Sequence, residues 1–410
     1  MQVHLQQTAL KSGQTLELAG SKSESNRLLL LQQLFPELVV DNVADSDDVV
    51  AMQTGLASGA SQVDVHHAGT AMRFLTAYFA VCQNQTVVLK GSERMHNRPI
   101  GVLVDALRSL GAQISYVEKE GYPPLSIRGI WAEGGSIDIS AAISSQYISA
   151  LLLVATRFKK GLTLHLKGEI TSRPYIEMTL SLLDELGAKT SFIGQTITVL
   201  PPVTLQQTHF TVEADWSSAS YYYSLLALSP LGTTLRLGKY KKVSLQGDAA
   251  LVRIYAKLGV ETRFDAGDYI QLVKKEREQP AFDADFRDTP DLAQTVVVSC
   301  FGLGIPCTIR GLHTLKIKET DRLVALQNEL RKLGGDLQIT ADSLTLSAKR
   351  QVVPAGQAID TYQDHRMAMA FAPLVTQMDL WINEADVVTK SYPVFWKDLK
   401  KLGVQVIESK

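Results

Sequence analysis

The chain has 410 residues, of which 45% are hydrophobic and 20% are charged, and its net charge is −1. This length exceeds what one hydrophobic core usually organises, so we expect two domains. The near-neutral charge excludes a general basic field for nucleic acid or an anionic membrane. Any bound anion therefore needs locally placed basic side chains.

Targeting signals and metal motifs are both missing from the sequence. Residues 1–5 do not begin a signal peptide, and no apolar stretch reaches the roughly 20 residues of a membrane span. Cys82, Cys300 and Cys307 lack the spacing of a metal site. We expect a cytoplasmic protein without a bound metal.

The first predicted helix, at residues 26–34, follows a strand-like segment at residues 15–19. Between them lies the sequence Gly-Ser-Lys-Ser-Glu-Ser-Asn-Arg, in which Lys22 and Arg27 accompany three serines. A helix start has unpaired N–H groups and a partial positive charge, so this junction suits a phosphate or a carboxylate. For this segment alone, simple capping of the helix explains the serines equally well.

Two features recur along the chain at one spacing. Predicted helices end at a leucine-glycine pair, with the glycines 69 to 76 residues apart at Gly111, Gly187, Gly259, Gly334 and Gly403. Predicted helix starts lie 73 or 74 residues apart, at Thr70, Ser144, Ser217, Pro290 and Asp364. We interpret this as six repeated units of strands and helices, each with a hairpin such as residues 190–199, the first unit being shortened.

Six units favour two domains of three units each. We expect one domain to contain residues 21–212 and the other to contain residues 1–20 and 213–410. The short strand at residues 3–5 then pairs within the second of these domains. We expect a small-molecule site in the cleft between the domains.

Basic side chains are concentrated at predicted helix starts, where they oppose the helix dipole. Their repetition implies one polyanionic ligand as the compensating partner. Acidic residues lie among them, and nearby cations should lower the pKa of such a carboxyl group. Charge compensation within the helix is an alternative explanation for Glu319 and Asp321. Motifs for triad hydrolysis, zinc proteolysis, P-loop transfer and dinucleotide binding do not occur.

Seven segments resemble the 5-enolpyruvylshikimate-3-phosphate synthase family in the family's order: GSKSESNR, AGTAMRF, RMHNRPI, SSQYISALL, SRPYIEMT, KETDRL and DHRMAM. The resemblance implies an α/β fold, the two-domain inside-out α/β barrel with three βαβαββ-type units in each domain. It implies transfer of the enolpyruvyl group of phosphoenolpyruvate to the 5-hydroxyl of shikimate 3-phosphate, through a tetrahedral intermediate. It also implies domain closure and no metal or organic cofactor. We expect a monomer with no nucleic-acid or membrane partner.

The same resemblance assigns roles to individual residues. Those that bind shikimate 3-phosphate are Lys22, Ser23, Arg27, Ser144, Ser145, Gln146, Ser172, Tyr175, Asp291 and Lys318. Those that bind phosphoenolpyruvate are Lys22, Gly69, Arg98, Gln146, Arg322, Arg366 and Lys390. Asp291 is the implied base toward the attacking hydroxyl, while Lys22 and Glu319 manage the proton at the methylene carbon. Further candidates are Asp48, His67, Arg73 and His365.

The sequence departs from the family pattern at two positions and leaves two alternatives. His67 replaces a usual asparagine, and Phe74 replaces a common proline. One alternative is enolpyruvyl transfer to UDP-N-acetylglucosamine, disfavoured because the loop at residues 94–99 has no cysteine. The other is a non-catalytic anion-binding homologue, disfavoured because binding alone needs no acid or base.

Overall fold

The computed structural model describes residues 1–83, 85–130, 133–141 and 144–409, and these form a mixed α/β fold. The chain divides into two units. We call Gly20–Val212 the continuous unit, and Met1–Ala19 together with Glu213–Lys410 the discontinuous unit. The sequence prediction groups Gly20 with residues 1–19 instead. Gly20 belongs to the continuous unit, since a Cβ atom there would lie 1.9 Å from the Asn42 carbonyl oxygen.

The elements follow one another in chain order. The chain begins with two strands of the discontinuous unit, β1 (Gln2–Gln6) and β2 (Gln14–Glu17). The helices of the continuous unit are α1 (Lys22–Leu34), α2 (Asp47–Ala57), α3 (Gly69–Val81), α4 (Gly101–Ser109), α5 (Ser145–Ala155) and α6 (Arg173–Leu186). Its strands are β3 (Val39–Asp41), β4 (Gln62–Asp64), β5 (Thr86–Lys90), β6 (Gln113–Tyr116), β7 (Leu125–Arg128), β8 (Gly135–Ser140), β9 (Leu162–Lys167), β10 (Lys189–Ile193), β11 (Thr196–Leu200) and β12 (His209–Thr211).

The rest of the chain completes the discontinuous unit. Its helices are α7 (Trp216–Ala227), α8 (Leu251–Ala256), α9 (Ala293–Leu303), α10 (Arg322–Lys332), α11 (His365–Phe371) and α12 (Phe395–Lys401). Its strands are β13 (Thr234–Gly238), β14 (Val260–Asp265), β15 (Tyr269–Lys274), β16 (Phe282–Asp285), β17 (Cys307–Arg310), β18 (Gly335–Ile339), β19 (Leu344–Arg350), β20 (Ala358–Ile359), β21 (Leu380–Ile382) and β22 (Gln405–Ser409).

In the described part of the chain, five four-stranded sheets share one topology. The first two strands of each are parallel and the remaining neighbours are antiparallel. The strand orders are β4-β5-β7-β6, β8-β9-β11-β10, β2-β13-β15-β14, β16-β17-β19-β18 and β20-β21-β1-β22. In the last of these, the N-terminal strand β1 lies between β21 and β22. Strands β3 and β12 form a separate two-stranded parallel sheet.

Some helices are buried on all sides, which fits their composition. In α3, every residue from Gly69 to Ala80 is buried, and α5, α7, α9 and α11 are buried over most or all of their length. A helix that is apolar over most of its surface belongs inside a core. The first residues of α3, α5 and α11, and the turn before α9, come from segments with site candidates. Within the described ranges, every helix is too short or too polar to cross a membrane.

The predicted helix ends and hairpin are confirmed, but two helix starts are wrong. At Pro290 the chain forms the 3-10 turn Pro290–Leu292, and α9 begins only at Ala293. The five repeated glycines have positive φ values between 81° and 107°, the conformation that stops a helix. Strands β10 and β11 form the hairpin predicted at residues 190–199. Helix α1 begins at Lys22 rather than residue 26, because the Ser21 hydroxyl caps it by accepting from the Glu24 N–H.

Candidate active site

A cluster of charged side chains surrounds Asp291 in the discontinuous unit. Asp291 lies in the single 3-10 turn Pro290–Leu292, which leads into α9. Arg322 Nη1 donates to Asp291 Oδ1 at 2.8 Å, and Arg366 Nη2 donates to Asp291 Oδ2 at 3.1 Å. Lys318 Nζ lies 3.4 Å from Asp291 Oδ1. One carboxylate is thus bound by three cations from different parts of the chain.

These cations fix the charge of Asp291. Burial alone would raise the pKa of its carboxyl group, but Arg366, Lys318 and Arg322 outweigh burial and hold the pKa well below its ordinary value. Asp291 is therefore ionised at neutral pH. The expected effect of neighbouring cations on a carboxylate is confirmed here.

Arg322 is the centre of the cluster and is only 2% exposed. Its Nε donates to Asp364 Oδ2 at 2.7 Å, and its Nη2 donates to Glu319 Oε2 at 2.8 Å. Asp364 is fully buried and caps α11 by accepting from the Arg366 N–H. Asp321 caps α10. Helix capping thus explains Asp321, whereas Glu319 is paired with the buried arginine.

Two further candidates lie beside the start of α11. Lys390 Nζ donates to the Gln363 carbonyl oxygen at 2.7 Å, one residue before the cap Asp364. His365 is buried, with Nδ1 3.8 Å from Asp364 Oδ1. The discontinuous unit therefore brings together every candidate that the sequence assigned to it: Asp291, Lys318, Glu319, Arg322, His365, Arg366 and Lys390.

Arg27 organises a buried polar group in the continuous unit. Its guanidinium donates to Thr179 Oγ1 at 2.7 Å, to Ser149 Oγ at 3.0 Å and to the Tyr175 carbonyl oxygen at 3.1 Å. It also donates to the Ser23 carbonyl oxygen at 2.7 Å. Burial lowers the pKa of Arg27 to about 10, so it keeps its charge at neutral pH. Helices α1, α5 and α6 are joined through this one side chain.

Two more arginines meet at the start of α3. A Cβ atom built on Gly69 would lie 2.5 Å from Arg98 Nη1 and 2.9 Å from Arg73 Nη1. Arg73 Nη1 donates to the Gly69 carbonyl oxygen at 2.9 Å. Burial and, after it, the charge of Arg98 lower the pKa of Arg73 to about 10. Two like charges at the positive end of a helix form a suitable site for an anion.

The starts of α5 and α6 supply hydroxyl and amide groups. Ser144 caps α5 by accepting from the Gln146 N–H, and Ser145 is the first, buried residue of that helix. Gln146 Nε2 lies 3.3 Å from Thr70 Oγ1, which links the starts of α5 and α3. Ser172 precedes α6 in the left-handed conformation, with φ 54°. Backbone strain at a residue other than glycine is typical of functional positions.

The remaining candidates of the continuous unit have separate partners. Lys22 and Ser23 begin α1 and are half-buried. Asp48 Oδ1 accepts from Asn26 Nδ2 at 2.9 Å, on the same helix as Arg27. His67 Nε2 lies 3.7 Å from Asp47 Oδ2. The structure therefore connects Asp48 to the second turn of α1 and places His67 beside a different carboxylate.

Comparison with known proteins gives this arrangement its context. Residues 56–399 match the family model described as EPSP synthase (3-phosphoshikimate 1-carboxyvinyltransferase). The chain belongs to the EPSP synthase family. Several relatives carry the name 3-phosphoshikimate 1-carboxyvinyltransferase. One from Bacteroides fragilis strain YCH46 is 45% identical over 392 residues, covering 95% of each chain. Another, from Photobacterium damsela subsp. piscicida, is 35% identical and covers 95% of this chain and 96% of its own.

A solved structure shows that the fold is shared. The EPSP synthase of Acinetobacter baumannii superimposes with a TM-score of 0.78 at 21% identity, covering 99% of this chain and all of the other. Among the described residues, no group of three or more His, Cys, Asp or Glu side chains is arranged to hold a metal ion.

Sequence reasoning missed three polar residues that complete the two clusters. The repeat spacing identifies Asp364 as a helix start, but it does not indicate the ion pair of Asp364 with Arg322. Ser149 and Thr179 lie within the EPSP synthase segments SSQYISALL and SRPYIEMT. Thr179 is four residues after Tyr175 on α6, a spacing that places both on one helix face. That spacing is the signal that could have found it.

Proposed function

We propose that this protein transfers the enolpyruvyl group from phosphoenolpyruvate to the 5-hydroxyl of shikimate 3-phosphate and releases phosphate. This reaction belongs to the biosynthesis of chorismate and the aromatic amino acids. The observation that carries the proposal is the Asp291 cluster, in which three cations hold an ionised carboxylate. Both substrates are anions, and the reaction needs an acceptor for the hydroxyl proton. A protein that only bound anions would gain nothing from Asp291 among its cations.

Basic and polar side chains bind phosphoenolpyruvate in this proposal. Its phosphate and carboxylate are bound by Lys22, Arg98, Gln146, Arg322, Arg366 and Lys390, with the Gly69 backbone close by. The pair of guanidinium groups at Gly69 supports this assignment, because arginine binds oxyanions through two parallel hydrogen bonds. The absence of a side chain at Gly69 leaves room for Arg98.

The second substrate binds chiefly to helix starts of the continuous unit. Ser144, Ser145 and Ser172 bind the shikimate phosphate, where exposed N–H groups and hydroxyls favour an anion. Ser23, Arg27 and Tyr175 hold the ring. The four hydrogen bonds of Arg27 support this role, since they fix the side chain before the substrate arrives. Lys318 reaches a ring hydroxyl.

The chemistry runs as an addition followed by an elimination. Asp291 accepts the proton of the 5-hydroxyl as its oxygen bonds to C2 of phosphoenolpyruvate, while Lys22 and Glu319 deliver a proton to the methylene carbon. The resulting tetrahedral intermediate then loses that proton and the phosphate, which restores the double bond. Positioned acids and bases and fixed cations lower both barriers.

Substrate binding increases the basicity of Asp291 in this scheme. In the free protein, its low pKa makes it a weak base. An incoming phosphate and carboxylate share Arg322 and Arg366 with Asp291, and a substrate hydroxyl occupies Lys318. Each anion offsets positive charge near Asp291, so the pKa of its carboxyl group rises when the reaction requires a base.

We further propose the family architecture for the chain, an inside-out α/β barrel with three repeats in each of two units. Residues 1–19 and 213–410 form one domain and residues 20–212 the other. The strand order that recurs in five sheets and the fully buried helices support this proposal. We also propose that the protein acts as a cytoplasmic monomer.

Phosphate release is the measurement that tests the function. The purified protein should release phosphate from phosphoenolpyruvate only when shikimate 3-phosphate is present. UDP-N-acetylglucosamine should not replace it as acceptor. Release with UDP-N-acetylglucosamine alone would favour the other enolpyruvyl transfer. Tight binding of both proposed substrates without any release would favour a non-catalytic homologue.

A further inference from the structure

A buried carboxylate outside the proposed machinery lies one hydroxyl group away from Arg366. Asp248 is 3% exposed and belongs to the 3-10 turn Gly247–Ala250. The Ser217 hydroxyl donates to Asp248 Oδ2, and Arg366 Nη2 lies 3.4 Å from Ser217 Oγ. The same Nη2 donates to Asp291 Oδ2 at 3.1 Å. Arg366 thus lies between the two acids, in direct contact with one and connected to the other through Ser217.

Local structure does not require this acid. Gln246, two residues earlier, already fixes the loop to the start of α7: its Oε1 accepts from the Trp216 N–H at 3.0 Å, and its Nε2 donates to the Ala214 carbonyl oxygen at 2.9 Å. In the described part of the chain, Asp248 Oδ1 is buried and has no hydrogen-bond partner. A half-satisfied buried acid costs stability, so a purely structural role explains it poorly.

Three charged side chains and one hydroxyl group face Asp248, and they come from three elements. Asp215 and the Ser217 hydroxyl come from the start of α7, Asp291 from the turn before α9, and Arg366 from α11. Burial and, after it, the charge of Asp291 raise the pKa of Asp248 to about 7, against the opposing effects of Arg366 and Ser217. Asp248 therefore changes its charge near neutral pH, within reach of an arginine assigned to the substrate.

We propose that Asp248 is a positioning residue for the Arg366 guanidinium. It acts through the Ser217 hydroxyl and controls how strongly Arg366 interacts with Asp291 and with phosphoenolpyruvate. This inference rests on the proposed function. With Asp248 neutral, the charge of Arg366 serves Asp291 and the anionic substrate. With Asp248 ionised, its negative charge offsets part of that field. Phosphoenolpyruvate binding and protonation of Asp248 then favour each other, as linkage requires.

The test is the pH dependence of the KM for phosphoenolpyruvate, measured by phosphate release between pH 6 and 9. In the wild-type protein, we expect ionisation of Asp248 to raise this KM by about fivefold, a modest coupling between two sites. Asp248→Asn keeps the shape and the acceptor for Ser217 but cannot ionise. It should lack this component of the pH dependence, while its kcat changes little.

Two further variants distinguish a positioning role of Asp248 from a general effect of the substitution on folding. Ser217→Ala removes the connecting hydroxyl, so its pH dependence should fall between those of the wild type and Asp248→Asn. Asp398→Asn is the matched control, because Asp398 is an equally buried acid whose partners are Tyr392 and Lys401. Its pH profile should follow the wild type. The ionisation of phosphoenolpyruvate itself affects all four proteins equally.

Identical pH profiles for the wild type and Asp248→Asn would overturn the inference and leave the proposed function standing. A wild-type protein that releases no phosphate would overturn the function and this inference with it. If Asp248→Asn did not fold, Ser217→Ala would decide the matter, and a wild-type profile in that variant would refute the proposal.

Discussion

The guanidinium of Arg98 lies directly against the Cα atom of Gly69. A side chain at position 69 would meet Arg98 Nη1 at 2.5 Å and Arg73 Nη1 at 2.9 Å. The backbone at Gly69 is helical, so space rather than backbone freedom requires the glycine. The position of Arg98, and with it the proposed contact to phosphoenolpyruvate, thus depends on one missing methyl group.

Gly69→Ala should weaken the binding of phosphoenolpyruvate without disturbing the other substrate. We expect the KM for phosphoenolpyruvate to rise about tenfold, which corresponds to about 1.4 kcal/mol, because Arg98 must move away from the new methyl group. Steady-state phosphate release measures both KM values. Gly59→Ala is the control, since a Cβ atom there meets nothing within 4 Å. An unchanged KM for phosphoenolpyruvate in Gly69→Ala would show that Arg98 does not contribute to its binding.

Asp291→Asn should remove catalysis but keep substrate binding. Asparagine has the same shape but cannot accept the hydroxyl proton, so we expect kcat to fall by about 10² to 10⁴. Affinity for shikimate 3-phosphate should stay within about tenfold, or about 1.4 kcal/mol. Stopped assays give kcat, and calorimetry gives the dissociation constant. Equal loss of both quantities would instead assign Asp291 a structural role.

Asp364→Ala should destabilise the discontinuous unit strongly. The change leaves Arg322 buried without its main carboxylate partner and removes the cap of α11, so we expect a loss of about 3–5 kcal/mol. Urea denaturation measures the shift. Asp283→Ala breaks the exposed pair of Asp283 and Arg310 and is the matched control, for which the midpoint should move far less. Similar shifts of the urea midpoint for both variants would show that burial does not determine the cost of breaking these ion pairs.

Lys274→Met should stabilise the protein at neutral pH. Burial and, after it, the charge of Arg277 lower the pKa of Lys274 from 10.5 to about 8, so keeping the ammonium group charged costs folding free energy. We expect a gain of about 1 kcal/mol at pH 7, since the nearby Leu258 carbonyl oxygen already offsets part of the cost.

Because the pKa of Lys274 is lower in the folded protein than in the unfolded chain, its effect on stability depends on pH. The unfolded chain holds the Lys274 proton up to about pH 10.5, whereas the folded protein releases it near pH 8. Stability of the wild type therefore rises between these values, and the advantage of Lys274→Met disappears there. The neighbouring Lys275→Met, at an exposed position, should show no such trend in urea midpoints measured at pH 7 and pH 10. If the stability gain of Lys274→Met were the same at pH 7 and pH 10, the buried charge of Lys274 would not be the cause of that gain.

Local signals in the sequence predicted the ends of helices well. The conformation required of Gly111 or Gly187 depends only on the neighbouring turn, so the residue type reveals it. Ser144 likewise caps the helix it was expected to start. The sequence pattern places the start of α1 late because residues 22–25 are polar. Such residues contact partners elsewhere: Ser25 Oγ, for example, accepts from the Ala44 N–H.

Long-range pairs could not be predicted in the same way. Asp364 and Arg322 are 42 residues apart, and Ser217 and Asp248 are 31 residues apart. No periodicity in the sequence links such positions, because their contact depends on how separate helices pack. The family resemblance assigns roles to residues that are proposed to contact substrate. It does not extend to residues that contact those side chains, such as Asp364 and Asp248.

The position of β1 also determines the order in which the two units can be completed during synthesis. This first strand pairs with residues 380–382 and 405–409, near the other end of the chain. By contrast, every strand of the continuous unit has been made once residue 211 has left the ribosome. The continuous unit can therefore fold first. Strand β1, which carries the apolar side chains of Val3 and Leu5, stays unpaired until β21 and β22 have been synthesised.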